Sequence, residues 1–323
     1  MKLLGPVVSS PHQVMGEERP RWKQRYSAAG VHLFDRITGL NILIDEVTVP
    51  ASLYSRAPRH VSIALSNRCD LACPHCYAPK SSDQLSFTAI MRWLAELDAH
   101  GTLGVGFGGG EPTLYPHFVR LCQQVAQRTG LAVSFTTHGY HIDSDMADGL
   151  RGSIHFIRVS MDGVWTTYES IRGRPFSRLL TRLEQIRTIS PFGINVVVNE
   201  RTLPDLDDVA RIAADVGACE LLLLPQVAVR RVPGIASHAL QDLRRWVESY
   251  KGPLRLSINE ASADGFPICD PLVEERGLRA YAHIDAMGVV KPSSYHDSGV
   301  PIGEGGVLEA LNQLASNLGE ISV

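Results

Sequence analysis

The middle of this chain is expected to be an α/β core of parallel strands, either a barrel or a doubly wound sheet. Strand-like apolar runs at 61–66, 103–107, 131–136, 154–160, 194–199 and 219–224 alternate with amphipathic stretches near 87–100, 116–129, 176–189 and 205–216, with a shorter helical segment at 144–150. Regular alternation of this kind needs crossover helices, and crossovers join parallel strands. Length is the second observation: 323 residues bury an ample core, in one large barrel or in two ordinary domains.

Residues 1–60 read as an N-terminal segment. The first thirty are rich in Pro, Ser, Arg and Glu without a period, and are expected to be irregular. Residues 32–45 (HLFDRITGLNILID) set two short apolar, β-branched runs around a turn at Gly39, the pattern of a β-hairpin, expected to cap one end of the following domain. The core domain spans 61–225. In its first helical stretch Ile90, Trp93, Leu94 and Leu97 fall on one face. Residues 226–323 read as a small α+β extension, with a helix at 239–250, a strand at 254–258 and a second hairpin at 281–291 that turns at Met287 and Gly288. No internal repeat or low-complexity tract interrupts this order.

A net charge of −3 and a pI near 6.5 give no reason to expect nucleic acid or an anionic membrane as partner. Residues 1–8 (MKLLGPVV) are too short and too broken by Pro6 for a signal peptide, and no apolar run approaches about 18 residues, the length of a membrane span. Six cysteines, three of them clustered, argue for a reducing compartment, by default the cytoplasm, rather than a disulfide framework.

The clustered three carry the chemistry. Residues 66–77 read SNRCDLACPHCY, with Cys69, Cys73 and Cys76 directly after the first core strand. Thiolates are soft ligands that suit zinc or iron–sulfur clusters. Three cysteines on a four-iron cluster leave one iron without a protein ligand, an open position for a small molecule. A structural zinc site with His75 or a distant cysteine as fourth ligand is the other reading of the same triplet. The second signal is FGGGEPTLY at 107–115, after the second strand, where glycines admit close backbone approach and Glu111 brings a carboxylate to a strand's C-terminal end. Further turns follow: SFTTHG at 134–139, RVSMDG at 158–163 and YESIRG at 168–173.

Together these motifs resemble radical S-adenosylmethionine (SAM) enzymes, down to the aromatic Tyr77 after the third cysteine. The resemblance implies a partial (β/α)6 TIM-like barrel, one four-iron, four-sulfur cluster on Cys69, Cys73 and Cys76, and SAM as its partner. It implies that Gly109, Gly110, Glu111 and Pro112 meet the methionine amino group, that Thr137 and His138 line the turn toward SAM, with His138 where the family often has Asn, and that Ser160 and Asp162 belong to the same site. Arg172 would neutralise the SAM carboxylate, and Asn199 would contact ribose or adenine. The implied reaction is reductive cleavage of SAM to a 5′-deoxyadenosyl radical that abstracts hydrogen from substrate, with a flavodoxin- or ferredoxin-type reductant.

The tail, AHIDAMGVVKPSSY, resembles the auxiliary-cluster (SPASM or twitch) domains of peptide-modifying members, yet Ser293 and Ser294 stand where such tails carry cysteine. A single cluster is therefore expected. A ribosomally made peptide is the first expected substrate, with a small metabolite such as a sugar, nucleoside or amino acid as the alternative. A non-catalytic zinc or iron–sulfur protein is the alternative of another class. Cys122 and Cys219 read as core residues. Cys269 is a candidate hydrogen-atom donor to a substrate radical, the role an epimerase requires.

Overall fold

The computed structural model describes residues 21–229, 232–259, 262–269, 272 and 274–319. It opens with three antiparallel strands in the order β1 (Trp22–Ser27), β2 (Gly30–Asp35) and β3 (Asn41–Ile44). The hairpin expected at 32–45 is thus the β2–β3 pair. The irregular stretch expected before it is corrected over 22–27, and the rest of that expectation lies on residues 1–20, outside those described. Apolar pattern could not reveal β1, because the side chain it buries most deeply is charged: Arg25 is 2% exposed.

The core strands follow in the predicted order. They are β4 (His60–Ser66), β5 (Gly104–Gly109), β6 (Ala132–Thr137), β7 (Phe156–Ser160), β8 (Phe192–Val198) and β9 (Glu220–Pro225). Between them run α1 (Phe87–Ala99), α2 (Phe118–Arg128), α3 (Ser144–Leu150), α4 (Trp165–Arg172), α5 (Phe176–Ile186) and α6 (Leu206–Asp215). Ser86 caps α1 by accepting from Ala89 N at 3.2 Å, and all four apolar residues expected on its inner face are buried. Periodicity did not mark α4, a two-turn helix that buries only Tyr168 and Ile171.

The sheet does not end with β9. Helix α7 (Ser237–Ser249) leads to β10 (Arg255–Ile258), which pairs parallel with β9, and β11 (Tyr281–Ile284) pairs parallel with β4 at the opposite edge. β12 (Val289–Lys291) and β13 (Val300–Pro301) continue antiparallel, and α8 (Gly306–Leu318) packs on α1. The order is β10-β9-β8-β7-β6-β5-β4-β11-β12-β13, an open, partial barrel in which residues from the extension supply both flanks. Glu96 of α1 fixes α8, accepting from Val307 N at 2.9 Å and Leu308 N at 3.1 Å. Glu96→Ala leaves two N-terminal amides of α8 without this acceptor, and an equilibrium unfolding curve should show a loss of about 1 kcal/mol.

Burial alternates along the strands. On β6, Val133, Phe135 and Thr137 are buried while Ser134 and Thr136 are half-exposed; on β7, Ile157 and Val159 are buried while Arg158 and Ser160 are half-exposed. The apolar positions join the core under the helices, and the other set faces the lumen. That lumen stays partly open, with short polar side chains and the glycines of β5 along its wall. Its N-terminal end is closed by the β1–β3 sheet. Arg25 donates to Ala57 O at 2.7 Å, Gly101 O at 3.1 Å and Arg279 O at 3.0 Å, and Arg36 to Thr129 O at 2.9 Å, all on segments entering β4, β5, β11 and β6.

His155 links the strands in another way. Val133 N donates to its Nδ1 at 2.9 Å, and burial, helped by the charge of Arg36, lowers the ring's pKa from 6.5 to about 4. Unfolded chains take up this proton near the ordinary value while the folded chain refuses it. The contribution is therefore complete above about pH 6.5 and is lost as pH falls toward 4. His60 and His283 are shifted the same way, also to about 4. Melting temperature should fall from pH 7 to pH 5, and His155→Gln should make that slope shallower.

Candidate active site

The site assembles at the C-terminal ends of the parallel strands, where loops converge over a rigid sheet. Cys69, Cys73 and Cys76 occupy the loop after β4, all three free and half-buried. Cys76 N donates to Cys73 O at 3.1 Å, which closes a tight turn between the second and third cysteines. Burial raises the pKa of Cys69 and Cys73. Two glycines let the next strand's end lie directly against this loop. A Cβ on Gly109, whose φ is +123°, would meet Ser66 O at 2.2 Å, and one on Gly110 would meet Arg68 O at 2.1 Å.

The carboxylate of Glu111, 2% exposed, ties the end of β5 to that of β6. Its Oε1 accepts from Thr113 N at 3.2 Å, Thr113 Oγ1 at 2.6 Å and Thr137 Oγ1 at 2.7 Å; its Oε2 accepts from His138 N at 2.9 Å. Pro112 opens the short turn that follows. His138 Nε2 lies 2.9 Å from Asp70 Oδ1, and His141 Nε2 lies 3.3 Å from the same oxygen. Burial would raise the Asp70 carboxyl, but its bonds to His138 and His141 hold it at about 2.

On the other side of the loop Arg172, at the end of α4, donates from Nη1 to Cys73 Sγ at 3.5 Å and from Nη2 to Asp162 Oδ2. Asp162 is fully buried. It also meets His75 Nε2 at 3.1 Å and accepts from Val197 N at 2.8 Å. Burial would raise its pKa, and the charges of Arg172 and His75 hold it down at about 2. Asn199 sits beyond β8 and lines a cleft of about 200 Å³ with Pro74, His75, Ile171 and Gln226. Its Nδ2 donates to Gln226 Oε1 at 2.7 Å. Ser160 ends β7 in register with Asn195.

The structure thus gathers two groups around the cysteine loop, Glu111 with Thr137 and His138, and Arg172 with Asp162. It does not bring Cys269 to them by any described contact; that thiol is exposed on the loop after β10. Cys122 is buried as expected, whereas Cys219 is exposed, a correction: it lies just before β9 with Sγ turned to Phe192 O at 3.2 Å. Sequence reasoning weighed His75 only as a zinc ligand and passed over Asp70 and Tyr295. The ring of Tyr295 stands 4.9 Å from that of Tyr77, and Ser294 hydrogen-bonds Tyr77, so the tail reaches the cysteine loop. Only the position of His75 between two cysteines signalled any of these.

A four-iron cluster suits this donor set better than a single zinc. Among the described residues, the one trio of His, Cys, Asp or Glu whose ligand atoms all lie within 4.8 Å of one another is Cys69, Asp70 and His138. The three thiols do not converge on one ion, as a mononuclear site with Zn–S bonds of about 2.3 Å requires, and His75 is engaged by Asp162. Ser66 Oγ and Arg172 Nε, both buried beside the loop, have no hydrogen-bond partner among the described residues. Unsatisfied polar atoms next to clustered thiols are what a site for a polar ligand leaves.

An open α/β barrel with a three-thiol loop at its C-terminal mouth defines a class of cluster-binding barrel proteins. Residues 63–213 match the Radical SAM superfamily. The chain is 28% identical over 173 residues to the AdoMet-dependent heme synthase of Methanosarcina barkeri (strain Fusaro / DSM 804), covering 51% of this chain and 49% of that protein. It is 25% identical over 214 residues to the sporulation killing factor maturation protein SkfB of Bacillus subtilis (strain 168), covering 64% and 52%. The chain spans about half the length of these curated relatives. Its fold is similar to that of Streptococcus suis SuiB bound to S-adenosylmethionine, with a TM-score of 0.69 at 15% identity over 85% of this chain and 82% of that one. SuiB has also been solved bound to its precursor peptide SuiA, with a TM-score of 0.66 at 13% identity, covering 86% and 84%.

Proposed function

We propose that this chain is a radical SAM enzyme that modifies a ribosomally made peptide. Cys69, Cys73 and Cys76 would hold one four-iron cluster, with SAM at its open position. When bound, the cluster supplies one-electron cleavage of SAM to a radical that takes a hydrogen atom from substrate. Arg172 carries the reading: a guanidinium fixed by a buried carboxylate, one nitrogen at a cluster cysteine and another without a partner among the described residues, is placed to receive a carboxylate beside the thiols. Gly109, Gly110, Glu111, Pro112, Thr137, His138, Ser160, Asn199 and Tyr77 form the surrounding wall. With the β1–β3 sheet across its other end, the lumen would take substrate from the cluster end, and that enclosure would limit water around the reacting carbon. A flavodoxin- or ferredoxin-type protein is the proposed reductant.

Anaerobic reconstitution tests the class. Brown protein with about four irons that releases 5′-deoxyadenosine from SAM supports it; colourless protein holding zinc rejects it. Cys69→Ala, Cys73→Ala and Cys76→Ala should each abolish iron retention, while Cys122→Ala should not. For the substrate, the named relatives point both ways, to maturation of a killing factor and to a heme synthase. Peptide is preferred because the fold runs over most of SuiB, a protein solved with its precursor peptide. Deuterium transfer from a labelled peptide to 5′-deoxyadenosine would support that choice, and transfer from a labelled small metabolite alone would reject it.

A further inference from the structure

The seam where β11 joins β4 carries a polar chain that the site described above does not use. Ser62 of β4 lies opposite His283 of β11, and His60 opposite Tyr281, all on the lumen side. Tyr281 OH lies 2.5 Å from Ser62 Oγ, and Ser62 Oγ lies 2.7 Å from His283 Nδ1. Tyr281, Ser62 and His283 thus form one continuous hydrogen-bonded chain along which a proton can pass. Tyr281 is half-buried rather than sealed, stacks on His60 with ring centroids 6.3 Å apart, and interacts electrostatically with Tyr77, next to Cys76. A tie that only joined two strands would not need a phenol open to the lumen.

We propose that Tyr281 donates a hydrogen atom to carbon radicals formed in the lumen, with Ser62 and His283 positioning its hydroxyl and returning the proton. This rests on the radical SAM reading above. In the step, the Tyr281 O–H bond breaks and a C–H bond forms; the carbon radical is reduced by one electron and the phenol becomes a phenoxyl radical. A one-electron reductant of the flavodoxin class then supplies an electron, and a solvent proton passing through His283 and Ser62 restores the phenol. Cys269, exposed on its loop, is the competing donor.

The test uses reconstituted full-length protein with SAM and dithionite in D2O, without substrate. A 5′-deoxyadenosyl radical quenched on the exchangeable O–D of Tyr281 yields monodeuterated 5′-deoxyadenosine, read by mass spectrometry. Tyr281→Phe should lower the deuterated fraction several-fold with total 5′-deoxyadenosine unchanged, and Ser62→Ala should lower it less. Freeze-quenched wild type should show a tyrosyl radical that narrows with ring-deuterated tyrosine and is missing from Tyr281→Phe. Unchanged deuterium in a folded Tyr281→Phe protein, with only its melting temperature reduced, overturns the proposal and leaves the function reading standing. Loss of deuterium in Cys269→Ala but not in Tyr281→Phe overturns it in favour of the thiol. If the wild type releases no 5′-deoxyadenosine at all, both readings fall.

Discussion

Asp162→Ala should destabilise the cluster-free protein by roughly 3–5 kcal/mol and abolish iron retention. The carboxylate is fully buried and neutralises Arg172, itself packed against Cys73; it also holds His75 and the Val197 amide. Removing it leaves a guanidinium buried without its counter-charge, and stranding one partner of a buried pair costs far more than the pair contributes. The loss reaches the cysteine loop along two routes, through Arg172 to Cys73 and through His75 to the turn between Cys73 and Cys76. Asp162→Asn keeps an oxygen for Val197 N but gives up the charge, so it should fall between wild type and alanine. Urea midpoints of the apo proteins and iron content after reconstitution check both parts. A stable Asp162→Ala protein that binds four irons would remove Asp162 from its place as the organiser of this side.

Arg25→Met should have a comparable effect on folding and none on which residues hold the proposed cluster. Arg25 Nε meets Glu275 Oε1 at 2.7 Å, both side chains 2% exposed, and its other nitrogens satisfy three carbonyls at the closed end of the barrel. Methionine has similar bulk but returns none of those bonds. Glu275 keeps its ion pair with Arg59, at 3.3 Å, and the expected cost is again roughly 3–5 kcal/mol. The cap then loosens, so proteolysis should cut between β3 and β4 sooner than in wild type. A double variant, Arg25→Met with Glu275→Gln, should recover part of the loss because the stranded charge is gone.

How much of this was legible follows from what each residue type signals. The six core strands and their helices other than α4 were readable because Val133, Phe135, Ile157 and their counterparts repeat with the period of the element that buries them. The cysteine loop and the glycines of its neighbour were readable because their spacing is local. β1 was hidden because its buried residue is Arg25, whose place depends on Glu275, 250 positions away. The pairing of β11 with β4 was hidden for the same reason: a short strand's neighbour is decided by the whole topology, and nothing in YAHI names HVSI as its partner. Asp70 and Tyr295 are ordinary residues in sequence, and only folding sets one beside His138 and the other beside Tyr77.

That late pairing has a consequence for how the molecule is made. Ser62 and His283 are 221 positions apart, yet β4, which leads straight into the cysteine loop, lies between β5 and β11. During synthesis, β4 therefore remains an uncovered edge long after its other neighbour has formed. Closing so long a loop is slow, and a bare strand edge is an invitation to pair with another chain. A nascent chain stopped before residue 281 should aggregate or recruit a chaperone, and the cell does best to load iron only after the last sheet strands have emerged from the ribosome.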